Sequence, residues 1–194
     1  MSVVAQWGDE KSGASPVILG LFSVPRVIDR VGPADFETLE EIHAASFAVP
    51  WSADEQAALN EGPGVATFVA RRISATASRR PIGFITVRQA ADEAEVLTMA
   101  VHPRQRRSGI GRLLLNAAMR HLYAERVREV FLEVDPHNTA AVALYKRTGF
   151  EVVGERPDYY GGNGGARQKA LTMRLEFKQP AFERLRSGAS APCR

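Results

Sequence analysis

Three side chains in the second half of the chain have the types and the spacing that proton transfer needs. Glu133 sets a carboxylate inside the otherwise apolar run Phe131-Leu132-Glu133-Val134, Asn138 opens the stretch that follows, and Tyr145 lies seven residues further on. Two turns of α-helix bring i and i+7 back to nearly one face, so Asn138 and Tyr145 can look toward one place. A carboxylate and a phenol so placed could serve as general base and general acid, for instance in a transfer to an amine. A free α-amino group titrates near about 8, within reach of a carboxylate acting through water, whereas a lysine amine at about 10.4 is a harder target. Each residue also has a plain structural reading. Glu133 fits a strand-end carboxylate facing solvent, Asn138 an N-cap, and Tyr145 a packed aromatic with its hydroxyl at the rim.

Upstream lies Arg104-Gln105-Arg106-Arg107-Ser108-Gly109-Ile110-Gly111-Arg112. From Val96 to Ala124 there is no Asp or Glu, yet Arg104, Arg106, Arg107, Arg112 and Arg120 all fall there. Clustered arginines without acids read as a seat for a polyanion, either a phosphorylated cofactor or a nucleic acid. A strand, a turn of glycine and arginine, then a helix builds such a seat, because the first helical turn has unpaired N–H groups and a partial positive charge. Gly109 and Gly111 leave room for close backbone approach, and Arg106, Arg107 and Arg112 can add charge-assisted contacts. No Gly-Lys-Ser/Thr follows, so this is not a P-loop, nor is it the three-glycine dinucleotide fingerprint. The competing reading is a solvated basic helix start. A nucleic-acid surface would interleave aromatic residues with the arginines, and none lies between Val101 and His121.

Arg106-Arg107-Ser108-Gly109-Ile110-Gly111 resembles the R/Q-x-x-G-x-G/A motif of the GNAT N-acetyltransferase superfamily. Ala48-Val49-Pro50-Trp51-Ser52, Leu132-Glu133-Val134 through Asn138, Ala143-Leu144-Tyr145 with Gly149-Phe150, and Tyr159-Tyr160 are similar to its RimI branch. The resemblance spans residues 26–177. It implies acetyl-CoA as co-substrate and no metal. Its pyrophosphate would sit on Arg106, Arg107, Ser108, Gly109, Ile110, Gly111 and Arg112. The pantetheine arm would run along Met99, Ala100 and Val101, and Asn138 would be a further contact. The same resemblance implies Glu133 as general base, Tyr145 as general acid, and direct attack of the amine with no acyl-enzyme. Trp51, Tyr159 and Tyr160 would line the acceptor groove. The implied acceptor is the N-terminal α-amine of a protein, the alanine of a small-subunit ribosomal protein. A small amine or a lysine side chain, and a non-catalytic CoA-binding module, are the alternatives. One departure concerns the acceptor: where that branch places acidic residues between Tyr160 and Met173, this chain has a glycine-rich loop and Gln168-Lys169.

The elements that must position these groups read as a mixed α/β domain with one central sheet, for which the resemblance implies the GNAT fold of about seven strands and about four helices. Strand patterns lie at Arg26–Arg30, Val65–Arg72, Ile82–Arg88, Glu95–Val101, Val130–Val134, Glu151–Glu155 and Ala170–Phe177. Phe36, Leu39, Ile42, Ser46 and Phe47 recur at helical spacing up to Pro50-Trp51. Ser52-Ala53-Asp54-Glu55 is a capping box for a second helix. Gly109–Ala124 carries the stripe Ile110, Leu113, Leu114, Ala117, Ala118 and Leu122, and Asn138–Thr148 closes at Gly149. Residues 1–25 read as a flexible extension and 178–194 as an irregular tail around the domain at 26–177. The hydrophobic content of 45% supports a core of ordinary size, and the net charge of +3 is too modest for a nucleic-acid coat. The single Cys193 cannot pair within the chain, and His43, His102, His121 and His137 lack zinc-ligand spacing. The apolar run Val17–Val24 is short of the roughly 20 residues a membrane span needs, so a soluble cytoplasmic protein is the expectation.

Overall fold

The computed structural model describes residues 26–73, 79–159 and 168–177; the expected extension at 1–25 and tail at 178–194 lie outside them. Along the chain come β1 (Arg26–Arg30), α1 (Phe36–Ala44), α2 (Ala53–Asn60), β2 (Val65–Arg72), β3 (Pro81–Ala90), β4 (Glu93–Val101), α3 (Ile110–Ala124), β5 (Glu129–Val134), α4 (Thr139–Arg147), β6 (Glu151–Tyr159) and β7 (Gln168–Glu176). Among the described residues no helix is long and apolar enough to cross a membrane.

Local chemistry sets the helix boundaries. Ser52 Oγ accepts from the Glu55 N–H at 3.2 Å, and the Glu55 carboxylate accepts from the Ser52 N–H at 2.8 Å, a reciprocal box that opens α2. α1 stops at Ala44, short of the helical spacing that reaches Phe47. The N–H groups of Ser46 and Phe47 both bond to the His43 carbonyl at 2.9 Å, which turns the backbone out while both side chains stay buried. In α3 the expected stripe is buried except at Leu113, which is 37% exposed, and Leu115 and Met119, which the stripe left out, are buried with it. α4 ends with Gly149 at φ +96, the Gly149 N–H on the Lys146 carbonyl and the Phe150 N–H on the Tyr145 carbonyl.

The seven strands make one mixed sheet in the order β1-β2-β3-β4-β5-β7-β6. Every neighbouring pair is antiparallel except β4–β5, the two strands joined by the α3 crossover. Strand alternation sends side chains to two separate cores. On one face, Ile85, Val87, Met99, Val101, Val130, Leu132 and Val134 pack with Ile110, Leu114, Leu115 and Leu122 of α3 and with Ala141 and Tyr145 of α4. On the other, Val69, Phe84 and Ala100 pack against Leu39 and Ile42 of α1 and against Phe47. Leu114 is fully buried at the centre of the larger core. Leu114→Ala is therefore expected to lower unfolding stability by about 2–5 kcal/mol, read as a reduced urea midpoint at unchanged slope.

Candidate active site

β4 and β5 begin as a parallel pair at Glu93↔Glu129 and Ala94↔Val130, and the pairing ends at Glu95↔Phe131. The register of β4 against β3 slips at the same level, from Val87↔Val96 to Thr86↔Thr98, which leaves Leu97 as an extra residue. A bulge bends its strand and increases the local twist. From there β4 keeps its ladder to β3, down to Gly83↔Val101, but has no ladder to β5. The strands part and leave a slot edged by Thr98–Val101 on one side and Leu132–Val134 on the other. Met99, Ala100 and Val101 thus lie on the free edge of β4. Their side chains are buried in the two cores, so the groups they offer the slot are backbone ones.

The turn after β4 stands at the open end of this slot. A short 3₁₀ turn, Pro103–Gln105, leads to Arg107 at φ +60 and Gly109 at φ +84, the N-cap of α3. A Cβ on Gly109 would meet nothing within 4 Å, so its requirement is conformational and the space above it is open. Among the described residues, no protein acceptor is found for the N–H groups from Arg107 to Arg112. Left-handed residues in such a run curl successive N–H groups into a concave anion seat, and the α3 dipole adds positive potential there. Ser108 is pinned from behind: its carbonyl accepts from Arg26 Nη1 at 2.7 Å, and its hydroxyl donates to the Gln105 carbonyl. Arg107 and Arg112 are exposed.

Arg106, expected beside Arg107 at the phosphate seat, has its guanidinium bonded within the protein. Its Nε donates to the Val101 carbonyl at 3.2 Å, and Nη2 donates to Ser46 Oγ at 3.1 Å. Burial pushes its pKa below the usual arginine value. The guanidinium lies behind the turn as a strut between β4 and the loop after α1.

The Glu133 side chain is 12% exposed and leaves β5 on the face opposite Leu132 and Val134, away from the α3 core. Its Oε1 accepts from Arg156 Nη1 of β6 at 2.9 Å, while Oε2 is buried with no partner among the described residues. A buried carboxylate oxygen without a donor is a group held ready for one. Asn138 is 3% exposed and caps α4, its Oδ1 accepting from the Ala141 N–H at 3.1 Å. Tyr145 is 3% exposed in the α3 core, its ring 5.8 Å from that of Phe150. Burial pushes its hydroxyl well above the ordinary phenol pKa, so it holds its proton. Glu133 and Tyr145 therefore arrive from opposite faces of the sheet, with the β4–β5 slot between those faces.

Trp51 lies in the loop between α1 and α2, on the same face as Glu133, half-buried and stacked on His43. Tyr159 closes β6, its Cα paired with that of Gln168, and Tyr160 lies outside the described residues. The sequence reading weighed His43 only as a zinc ligand and gave Arg156 and Arg26 no role at the site. Leu39 and His43 stand at i and i+4, a signal that marks a face without revealing its polar partners.

The sequence profile of the acetyltransferase (GNAT) family matches residues 36–150. The chain is 31% identical over 149 residues to the [ribosomal protein bS18]-alanine N-acetyltransferase of Haemophilus ducreyi, covering 77% of this chain and 99% of that one. The crystal structure of the ribosomal-protein-S18-alanine N-acetyltransferase from Escherichia coli superposes with a TM-score of 0.69 at 29% identity, over 80% of this chain and 96% of that chain. Arabidopsis thaliana NAA60 in complex with acetyl-CoA shares the fold at 23% identity and a TM-score of 0.68, over 78% of this chain and 98% of that one.

His43 gives the site a measurable pH signature. Burial pushes its pKa from 6.5 down to about 4, opposed by the charge of Glu55. In the unfolded chain it takes a proton that the folded state refuses, so stability is full above pH 6.5 and is lost as pH falls toward 4. Between about pH 7 and pH 4.5 the wild type is expected to lose roughly 2–3 kcal/mol more than His43→Asn. Parallel urea-midpoint profiles for the two proteins would refute this.

Proposed function

The chain belongs to the acetyltransferase (GNAT) family, and on that footing we propose that it transfers an acetyl group from acetyl-CoA to the N-terminal α-amine of a protein, the alanine of a small-subunit ribosomal protein. The observation that carries this reading is the slot between β4 and β5, opening onto a turn whose N–H groups from Arg107 to Arg112 have no acceptor among the described residues. Such a slot fits a long, thin donor with a phosphorylated end. The free edge at Met99, Ala100 and Val101 can pair with the amides of a pantetheine arm as a further strand would. Ser108, Gly109, Ile110, Gly111 and the exposed Arg107 and Arg112 form the pyrophosphate seat. Arg106 braces that seat from behind. Asn138 is assigned to the donor side while it caps α4.

In the proposed reaction the amine nitrogen attacks the thioester carbonyl directly. Glu133 takes the ammonium proton through its open Oε2, directly or by way of a water, with Arg156 holding Oε1. The carbon–sulfur bond breaks as the new amide forms, and Tyr145 protonates the departing thiolate. The hydroxyl carries its proton, as a donor must, while the burial that holds it there also makes it a weaker acid. Contact with the acceptor is assigned to Trp51, Tyr159 and Tyr160. The alanine acceptor is supported by the named activity of the Haemophilus ducreyi and Escherichia coli relatives.

An Ala-starting peptide and the same peptide blocked at its N-terminus but carrying a lysine, each incubated with acetyl-CoA, test the acceptor. Acetylation of the free peptide alone is expected; equal rates on both would sink the α-amine reading. Glu133→Gln and Tyr145→Phe are each expected to lower kcat by about 10²–10⁴-fold with the coenzyme A Kd retained. Gly109→Ala, strained at φ +84, is expected to weaken coenzyme A binding by about tenfold or more in calorimetry.

A further inference from the structure

We infer that His43 is a positioning residue for the acceptor side of the site: its ring ties the backbone of Trp51 to Thr98 of β4. The inference rests on the acetyltransferase reading above and concerns a side chain that the proposed chemistry does not use.

His43 ends the buried face of α1 and is fully buried. Its Nδ1 accepts from the Trp51 N–H at 3.1 Å, so Nδ1 carries no proton and the ring hydrogen sits on Nε2. Nε2 faces Thr98 Oγ1 at 3.4 Å. The ring lies nearly flat against Phe47, at 4.1 Å and 25°, and against Trp51, at 5.2 Å and 13°. From the other side, Gln56 of α2, itself 5% exposed, donates its Nε2 to the Trp51 carbonyl at 3.1 Å.

A loop residue on a protein surface normally satisfies its N–H and C=O with water. Trp51 has both held by buried polar side chains, one from each flanking helix. Burying two polar side chains is costly unless each is bonded, and an aliphatic pair would close the same two helices. What the polar pair adds is a fixed position and orientation for Trp51. The tie ends on Thr98, the first paired residue past the Leu97 bulge, where β4 begins its free edge. Trp51 is thereby held in register with the strand proposed to carry the donor. Displacements near about 1 Å between amine and thioester are enough to change rates.

Steady-state kinetics on the full chain, with acetyl-CoA and an Ala-starting peptide, separates this role from a general structural one. His43→Phe keeps a flat ring and removes the acceptor, whereas His43→Asn returns an acceptor close to the place of Nδ1. His43→Phe is expected to raise the peptide KM by about tenfold while the acetyl-CoA KM stays within about twofold, and His43→Asn to recover most of the loss. Gln56→Met, which cuts only the bond to the Trp51 carbonyl, is expected to move the peptide KM in the same direction, and it decides the matter if His43→Phe does not fold. An unchanged peptide KM overturns the inference, as does a joint rise of donor and acceptor constants. If the wild type acetylates a small amine in place of the peptide, the acceptor reading fails by itself and the KM for that amine serves the same comparison. A wild type that acetylates neither acceptor removes the function and the inference together.

Discussion

Backbone groups taken out of water need partners, and β4 beyond Leu97 has strand partners along one edge only. The other edge is kept open by the divergence of β5, which the bulge begins and the two cores maintain. Met99 and Val101 are held by the α3 core and Ala100 by the α1 core, so β4 cannot swing across to close the gap. Leu132 and Val134 hold β5 in the same way. The slot is a consequence of well-packed neighbours on both sides, and it opens toward the start of α3.

The two ends of the slot are mechanically connected through one loop. Arg106 joins Val101 to Ser46 at the start of the loop after α1, and His43 joins Thr98 to Trp51 near its end. Both ties begin on the free-edge segment of β4. The surface that would receive an acceptor is thus supported by the strand that would carry the donor, and the turn that would seat phosphate braces the same loop. A displacement of β4 itself would reach both the turn after it and the loop that carries Trp51. Reciprocal coupling of that kind needs no more than shared supports with few alternative arrangements.

Much of this was legible in the residue pattern, and the limits have physical causes. Glu133 in an apolar strand, Gly109 after a cluster of arginines, and the Ser52–Glu55 box are local signals, and each marks a position whose geometry follows from a few neighbours. The bulge at Leu97 is not local. It exists only relative to β3, so no feature of Thr98-Met99-Ala100 announces it. The orientation of Arg106 likewise depends on Ser46 and Val101, which come close only once α1 lies on the sheet. His43 and Arg156 were missed because an apolar stripe and a strand period say which face a residue takes and nothing about its polar partner. The early end of α1 follows from the His43 carbonyl accepting two N–H groups, a choice that helical spacing cannot express. The segment between Tyr159 and Gln168, which separates this chain from the RimI pattern, lies beyond the described residues.

The order β5-β7-β6 places β7, the last described strand in the chain, inside the sheet between two strands that precede it. During synthesis β5 emerges early, yet its Glu133 rung pairs with Thr172, and Arg156 on β6 is placed against that carboxylate through the same late strand. A nascent chain that has reached α4 already contains the turn of Arg107 and Gly109 and the free edge of β4. It does not yet hold a supported β5. Completion of the slot therefore waits for the final strand to insert, so a chain cut before β7 would carry the turn after β4 but not a Glu133 fixed by its neighbouring strand.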